Sequence, residues 1–463
     1  MQLNKSLLQD FYEYKAETNE LKSCWNALGL YNSMQFVLRL RPDIHRLIDG
    51  LPNGIVTSGE IDFESIQAYS TFLHETIHWW QHSGSTIGLL SSLTYPVQTH
   101  KISENLKKYL EITGPKKPIT NYNFNNAKDF LPADQEFKEI NQILNDFFDI
   151  EFFKEIITFP KSTKEIADNP LFECIGHSCH ITYASILREL SAIFDEELEF
   201  LPDVTRWNSG FKKLTDDKAI GYHHGSPIYL PPVGTREIFE GQARFNQIQF
   251  LYFSSGKSLE WGDFEDLGML NGVYVEAFNV FLKTIKKDRP PTIEDPIVGL
   301  FLIICDISIN PTDGFPFDIF HFDSFVMSVD PGTRFYMMCE LIRDKFQDLT
   351  VAVQEYLASE YYYITKLLCD ELVCHTPLEA ASLLVKWSEK SEKLQQLMQE
   401  DETFKFSDVN LPIRVLISRF IKFNIDKLKR PEFFCWPGVW STGDRCSSDI
   451  RAGSRNLNSG ISG

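Results

Sequence analysis

Five consecutive residues, His74-Glu75-Thr76-Ile77-His78, have the types and spacing to hold a metal ion and use it. An α-helix turns about 100° per residue, so side chains four positions apart stand one above the other, roughly 6 Å apart along the axis. Two imidazoles so placed can grip one ion. Glu75 projects beside that ion, where a carboxylate can take a proton from a metal-activated water. The chemistry on offer is metal-assisted hydrolysis with Glu75 as general base.

The flanking residues supply the helix. Asp62 stands as N-cap, Glu64 puts a negative charge in the first turn, and Phe63, Ile66, Tyr69, Phe72 and Leu73 recur at three- and four-residue steps. Trp79 and Trp80 continue the run until Ser83-Gly84-Ser85, a C-terminal stop. The motif therefore falls late in a predicted helix of about twenty residues. The blander alternative is a buried helix whose histidines only satisfy hydrogen bonds.

A catalytic zinc site has three protein ligands and one open position, so a third ligand is required. The metzincin continuation is excluded, because Gln81 and Gly84 stand where it needs glycine and histidine. His82 shares the face of His74 and His78 but lies one turn too far along, which assigns it to the cleft wall. The better candidate is Glu240 in Arg236-Glu237-Ile238-Phe239-Glu240-Gly241-Gln242-Ala243-Arg244-Phe245, helical after Pro231-Pro232-Val233-Gly234-Thr235. Gly241 and Ala243 are small, which favours close approach of a second helix. Glu237, one turn earlier, competes with Glu240 for the role, and the small residues favour Glu240.

With these two segments the chain resembles the gluzincin metallopeptidases, which carry H-E-x-x-H on one helix and a glutamate, often in E-G-x-A, on a later one. The resemblance covers five residues at 74–78 and four at 240–243. It implies Zn²⁺ held by His74, His78 and Glu240, with Glu75 as base, in a zincin-like core whose edge strand pairs with an extended substrate. Two features depart from the pattern. Arg244 occupies the place where many gluzincins have a carboxylate that orients a histidine. Glu240 lies unusually far from His78, so an insertion must separate them. The G-x-M-E-N element of related aminopeptidases is absent, which argues against amino-terminal exopeptidase activity.

Other constellations are weaker. Cys174, His177, Cys179 and His180 cluster, but in no common zinc spacing, and a buried helix with small thiols accounts for them. Tyr222-His223-His224-Gly225 offers donors for an oxyanion, and Asp330-Pro331-Gly332-Thr333-Arg334-Phe335 reads as a turn into a helix, with Arg334 a speculative contact for a substrate carboxylate. A di-iron site would need a second E-x-x-H, and phosphate-binding loops and the serine-nucleophile elbow are missing.

At 463 residues the chain is long enough for two or three structural units. The layout predicts a mainly helical α+β protein: 1–100 as the first part of the catalytic core, 101–215 as a helical insertion or lid, 216–290 as the part of the core with the third ligand, 291–430 as a helical C-terminal region, and 431–463 as a partly disordered tail. Within it, Met34–Leu40 and Gly54–Thr57 are candidate strands, Glu136–Ile157, Leu341–Leu368 and Pro377–Gln399 candidate helices, and Val298–Cys305 a core element. A net charge of −19 with scattered Lys and Arg excludes a nucleic-acid binder and suggests a cationic substrate segment. Nine cysteines without framework spacing suit a reducing interior, and neither a secretory signal nor a membrane-length apolar run is present. The expectation is a cytoplasmic zinc endopeptidase acting on protein or peptide, with a regulatory protein partner, as in a toxin, stress or antiviral system. A hydrolase of non-peptide amides and a non-catalytic metal-containing sensor are the alternatives.

Overall fold

Asp62 begins the helix that carries the motif. Its carboxylate accepts the backbone N–H of Ser65 at 2.8 Å and the Ser65 hydroxyl at 2.9 Å, supplying an acceptor to an N-terminus that has no intrahelical one. The helix runs without a break over Phe63–Gly84, with Ser85 as C-cap. The computed structural model describes residues 3–8, 27–33, 35–49, 62–113 and 135–442. Over these the chain is mainly helical, with one small two-stranded sheet.

The principal helices are α1 (Pro42–Asp49), α2 (Phe63–Gly84), α3 (Thr86–Thr113), α4 (Gln135–Thr158), α5 (Ile175–Phe194), α6 (Thr235–Ser254), α7 (Val273–Ile285), α8 (Pro296–Ile309), α9 (Pro331–Asp344), α10 (Ala358–Glu371), α11 (Pro377–Lys390), α12 (Glu392–Thr403) and α13 (Leu411–Lys429). Strands β1 (Gly29–Asn32) and β2 (Val37–Leu40) pair antiparallel, with Gly29 opposite Leu40 and Asn32 opposite Val37. The strand expected at Met34–Leu40 is confined to its second half. Its partner β1 has no alternating pattern to announce it. The strand expected at Gly54–Thr57 lies outside the described residues, as does the expected tail from residue 443 onward. The first part of that tail forms short helices over Pro431–Cys435 and Pro437–Trp440, with Cys435, Trp436 and Val439 buried in the core.

Two apolar clusters hold the helices. The first joins α2, α6, α7, α8, α9 and α10, with Ile238, Phe245, Phe278, Phe301 and Phe335 buried at its centre. The second gathers the start of α3, α4, α5, residues 201–222 and 315–329, and α11 to α13. The stretch marked as an insertion thus shares its core with C-terminal helices. The apolar run Val298–Cys305 lies in α8, which is buried from Val298 to Ile309, as a core element should be. Asp306 on α8 accepts from Lys427 at 2.6 Å and from the Tyr361 hydroxyl at 2.5 Å, tying α8 to α13 and α10 through a buried ion pair. Removing one partner would strand a charge in the core.

Two helices expected to be continuous are broken. Between Leu341 and Leu368 the chain leaves α9 at Asp344, makes a 3-10 turn over Gln347–Val351 and re-enters at Ala358. Glu360 drives the restart, because its carboxylate accepts the backbone N–H groups of Gln354, Glu355 and Leu357. Pro377–Gln399 divides at Ser391, whose hydroxyl caps α12 by accepting from Leu394. Local side-chain capping overrode the apolar period in both places.

The Cys174–His180 cluster is helix cap and packing. The Cys174 sulfur accepts the backbone N–H of His177 at 3.4 Å at the start of α5, His177 lies 3.3 Å from Asp149, and His180 stacks on Phe211 with ring centroids 4.2 Å apart. Burial holds the His180 pKa down to about 4, and its Nε2 is buried without a partner. The unfolded chain therefore binds a proton at His180 that the folded chain does not between the ordinary value and about pH 4, so this group withdraws stability as pH falls through that window. In urea titrations at pH 7 and pH 5, His180→Phe should recover up to about 2 kcal/mol of the acid-induced loss. An identical loss in both proteins would contradict this reading.

Candidate metal centre

Helices α2 and α6 pack against one another from Tyr69 beside Phe250 to Gln81 beside Phe239, and the three expected ligand atoms meet at that contact. The Nε2 atoms of His74 and His78 are 3.1 Å apart, and Oε2 of Glu240 lies 3.6 Å from His74 and 3.4 Å from His78. A tetrahedral ion with ligands at about 2.0–2.1 Å has ligand-to-ligand edges of about 3.4 Å. The three atoms therefore fit the face of a zinc tetrahedron, and they are the sole His, Cys, Asp and Glu group of that kind among the described residues.

Gln81 fixes the tautomer of His78. The side-chain nitrogen of Gln81 donates to the Phe239 carbonyl at 2.9 Å and to Gln242 Oε1 at 2.8 Å, so its oxygen must face His78. That oxygen lies 2.8 Å from His78 Nδ1, which consequently carries the proton. In neutral His78 the Nε2 lone pair then points at His74 and Glu240, so three acceptors converge, a set that a proton or a metal cation can satisfy. The charges respond accordingly. Burial works to lower the His78 pKa, but the Glu240 carboxylate outweighs it and pushes the value up to about 9. His74 is held down to about 3 by burial, with the charges of His78 and Arg244 adding to the effect. Burial would raise Glu240, yet His78 and His74 hold its carboxyl well below the usual range.

The cluster opens into a cleft of about 520 Å³ walled by α2, α6, β1 and the end of α4. Glu75 lines this cleft beside the histidines and is largely buried. Gly29 of β1 packs onto it, so closely that a Cβ there would come within 2.5 Å of the Glu75 side chain. Any larger residue at 29 would displace the carboxylate. His82 forms cleft wall, as expected, between the rings of Tyr31 and Phe239 at 5.6 and 5.3 Å.

Glu237 does not reach the cluster. Its carboxylate accepts the Gly234 N–H at 2.8 Å and caps α6. Gly241 faces Phe301 and Ala277 rather than α2, so its smallness serves packing against α7 and α8 instead of the approach of α6 to α2. His223 and His224 line a separate cavity with Cys174, and the Tyr222 hydroxyl is engaged with Phe322 and Val326, which removes that loop as an oxyanion donor. Arg334 is buried and donates to the carbonyls of Ser328 and Ile307, so it cannot meet a substrate. Sequence reasoning missed Gln81, Gly29, Arg244 and Tyr274 as parts of the site. Gln81 could have been found from its position three residues after His78, the spacing that brings side chains together on a helix.

No protein-family model matches the chain, and no curated protein or solved structure is significantly similar to it. Among the described residues, no helix is long and apolar enough to cross a membrane, and the seven described cysteines are free.

Replacing Gln81 by Leu removes the acceptor that holds the His78 tautomer. Zinc affinity, measured by competition with a chromophoric chelator, should fall about 10- to 100-fold with no change in helix content by circular dichroism. Unchanged affinity would show that Gln81 does not orient the ligand.

Proposed function

We propose that this chain is a zinc-dependent hydrolase of peptide bonds, an endopeptidase of gluzincin type with a zincin-like core. The observation that carries the proposal is the convergence of His74 Nε2, His78 Nε2 and Glu240 Oε2 within 3.1–3.6 Å of one another at a cleft also lined by Glu75. A zinc ion bound there would lower the pKa of a coordinated water to about 7 and polarise a carbonyl.

The residues of the chain supply the rest. His74, His78 and Glu240 would hold the ion, with Gln81 keeping the His78 lone pair turned inward. Glu75 would accept a proton at its carboxylate and return it to the leaving amine, a task suited to a buried carboxylate fixed by a neighbouring strand. Gly29, Leu30 and Tyr31 of β1 also line the cleft, where an extended peptide can add as a further strand. Of the two roles assigned to carboxylates, ligand and base, Glu240 and Glu75 each fit one.

Glu75→Gln should retain one zinc per chain and the thermal midpoint of the parent while hydrolysis of a mixed peptide library falls by about 10²- to 10⁴-fold, followed by mass spectrometry. Full activity in purified Glu75→Gln protein would end this mechanism.

A further inference from the structure

Basic groups outnumber acidic ones by three to two in the cleft lining, although the chain as a whole is acidic. Apart from Glu75 and Glu240, the charged lining groups other than histidine are Lys154, Arg236 and Arg244, all basic, in a protein of net charge −19. Arg244 stands out among them. It is 7 % exposed, and no carboxylate of the described residues lies within ion-pair distance of it. Its guanidinium carbon sits 3.9 Å from the ring centroid of Tyr274, and Nη1 donates to Gln247 Oε1 at 2.6 Å. Gln247 is itself turned by donating to the Ser70 hydroxyl at 3.1 Å. The guanidinium Nε is buried and has no partner.

A guanidinium that is desolvated, held on one edge and one face, and left without a counter-charge is costly unless something arrives to pair with it. Tyr274 touches both Arg244 and the cluster, with its ring 6.2 Å from that of His74. The arriving group would therefore sit in the same cleft as the reaction centre. Two parallel N–H groups suit a carboxylate, which accepts them in a planar fork. Lys154 and Arg236 are less committed to this task, the first lying 3.7 Å from Glu151 and the second exposed near Phe159, and they provide a favourable field at the entrance.

We propose that Arg244 docks a substrate carboxylate, so that the cleft selects peptides with an acidic side chain or a free C-terminal carboxylate beside the bond to be cut. This rests on the cluster being the reaction centre. The net charge, which by itself suggests a cationic substrate, is overridden by the local charge of the cleft.

Calorimetric titration of metal-depleted protein tests this, because a bound ion would itself attract carboxylates. Three pentapeptides serve as probes: blocked at both ends with a central glutamate, blocked with a central glutamine, and a neutral sequence with a free C-terminal carboxylate. At least one of the two carboxylate peptides should bind about tenfold or more tightly than the glutamine peptide, and which one identifies the source. Arg244→Gln should abolish the preference, Arg244→Lys should keep part of it, and Arg236→Gln should leave most of it. Equal affinity of all three peptides for the parent protein, no binding of any, or a preference that survives Arg244→Gln would overturn the proposal. If the glutamine variant does not fold, the parent comparison and the lysine variant still decide. Zinc uptake of the same preparations is measured separately. A carboxylate preference in a protein that takes up no zinc removes the hydrolase but not the anion site, and normal zinc uptake without the preference does the reverse.

Discussion

The close packing of α2 against α6 is the constraint on which the site depends. Neither helix can hold an ion alone: α2 supplies two imidazoles one turn apart, and the third acceptor must come from a helix more than a hundred residues later in the chain. The contact is sealed by polar groups as well as by apolar ones. Gln81 of α2 bonds to the Phe239 carbonyl and to Gln242 of α6, and Gln247 of α6 bonds to Ser70 of α2. These bonds are buried, so leaving any of them unmade would cost more than an exposed bond would return. They fix the rotation of α6 about its own axis, and with it the direction in which Glu240 points.

The surrounding helices make that contact rigid. The α7, α8 and α9 layer presses on the far side of α6 through Phe245, Phe278 and Phe301, where Gly241 leaves room for Phe301 to approach. The sheet closes the opposite side, with Gly29 seated on Glu75. One helix pair therefore brings together His74, His78 and Glu240, the group that could hold a metal ion, and two neighbouring layers determine where Glu75 and the charged cleft lie. A buried Arg244 beside this group is consistent with a site shaped for an anion rather than with a core built for stability alone.

Much of this was legible in the residues, and the reasons for the remainder are physical. The motif helix was predictable because its cap, apolar steps and stop signal agree with one another, and α6 was predictable from Pro231-Pro232 followed by an apolar period. Of the two small residues that favoured Glu240 over Glu237, Gly241 gives no support, since it faces away from α2. What distinguishes the two carboxylates is that Glu237 is consumed in capping α6. β1 escaped notice because four residues, one buried and three half-buried, leave no alternation to detect. Tyr274 had no local signal at all, because its place in the cleft is set by the packing of α7 on α6. The breaks after Asp344 and at Ser391 were missed because apolar periodicity does not report where Glu360 and Ser391 find backbone N–H groups to cap.

The central claim is that one metal ion is shared by His74, His78 and Glu240, with Glu237 taking no part. Elemental analysis of protein purified without added metal, made in parallel for the parent, Glu240→Ala and Glu237→Ala, tests it most directly. The account predicts about one zinc per chain in the parent and in Glu237→Ala, and loss of the metal in Glu240→Ala. A metal-free parent, or a Glu240→Ala protein that keeps its full complement, would contradict it.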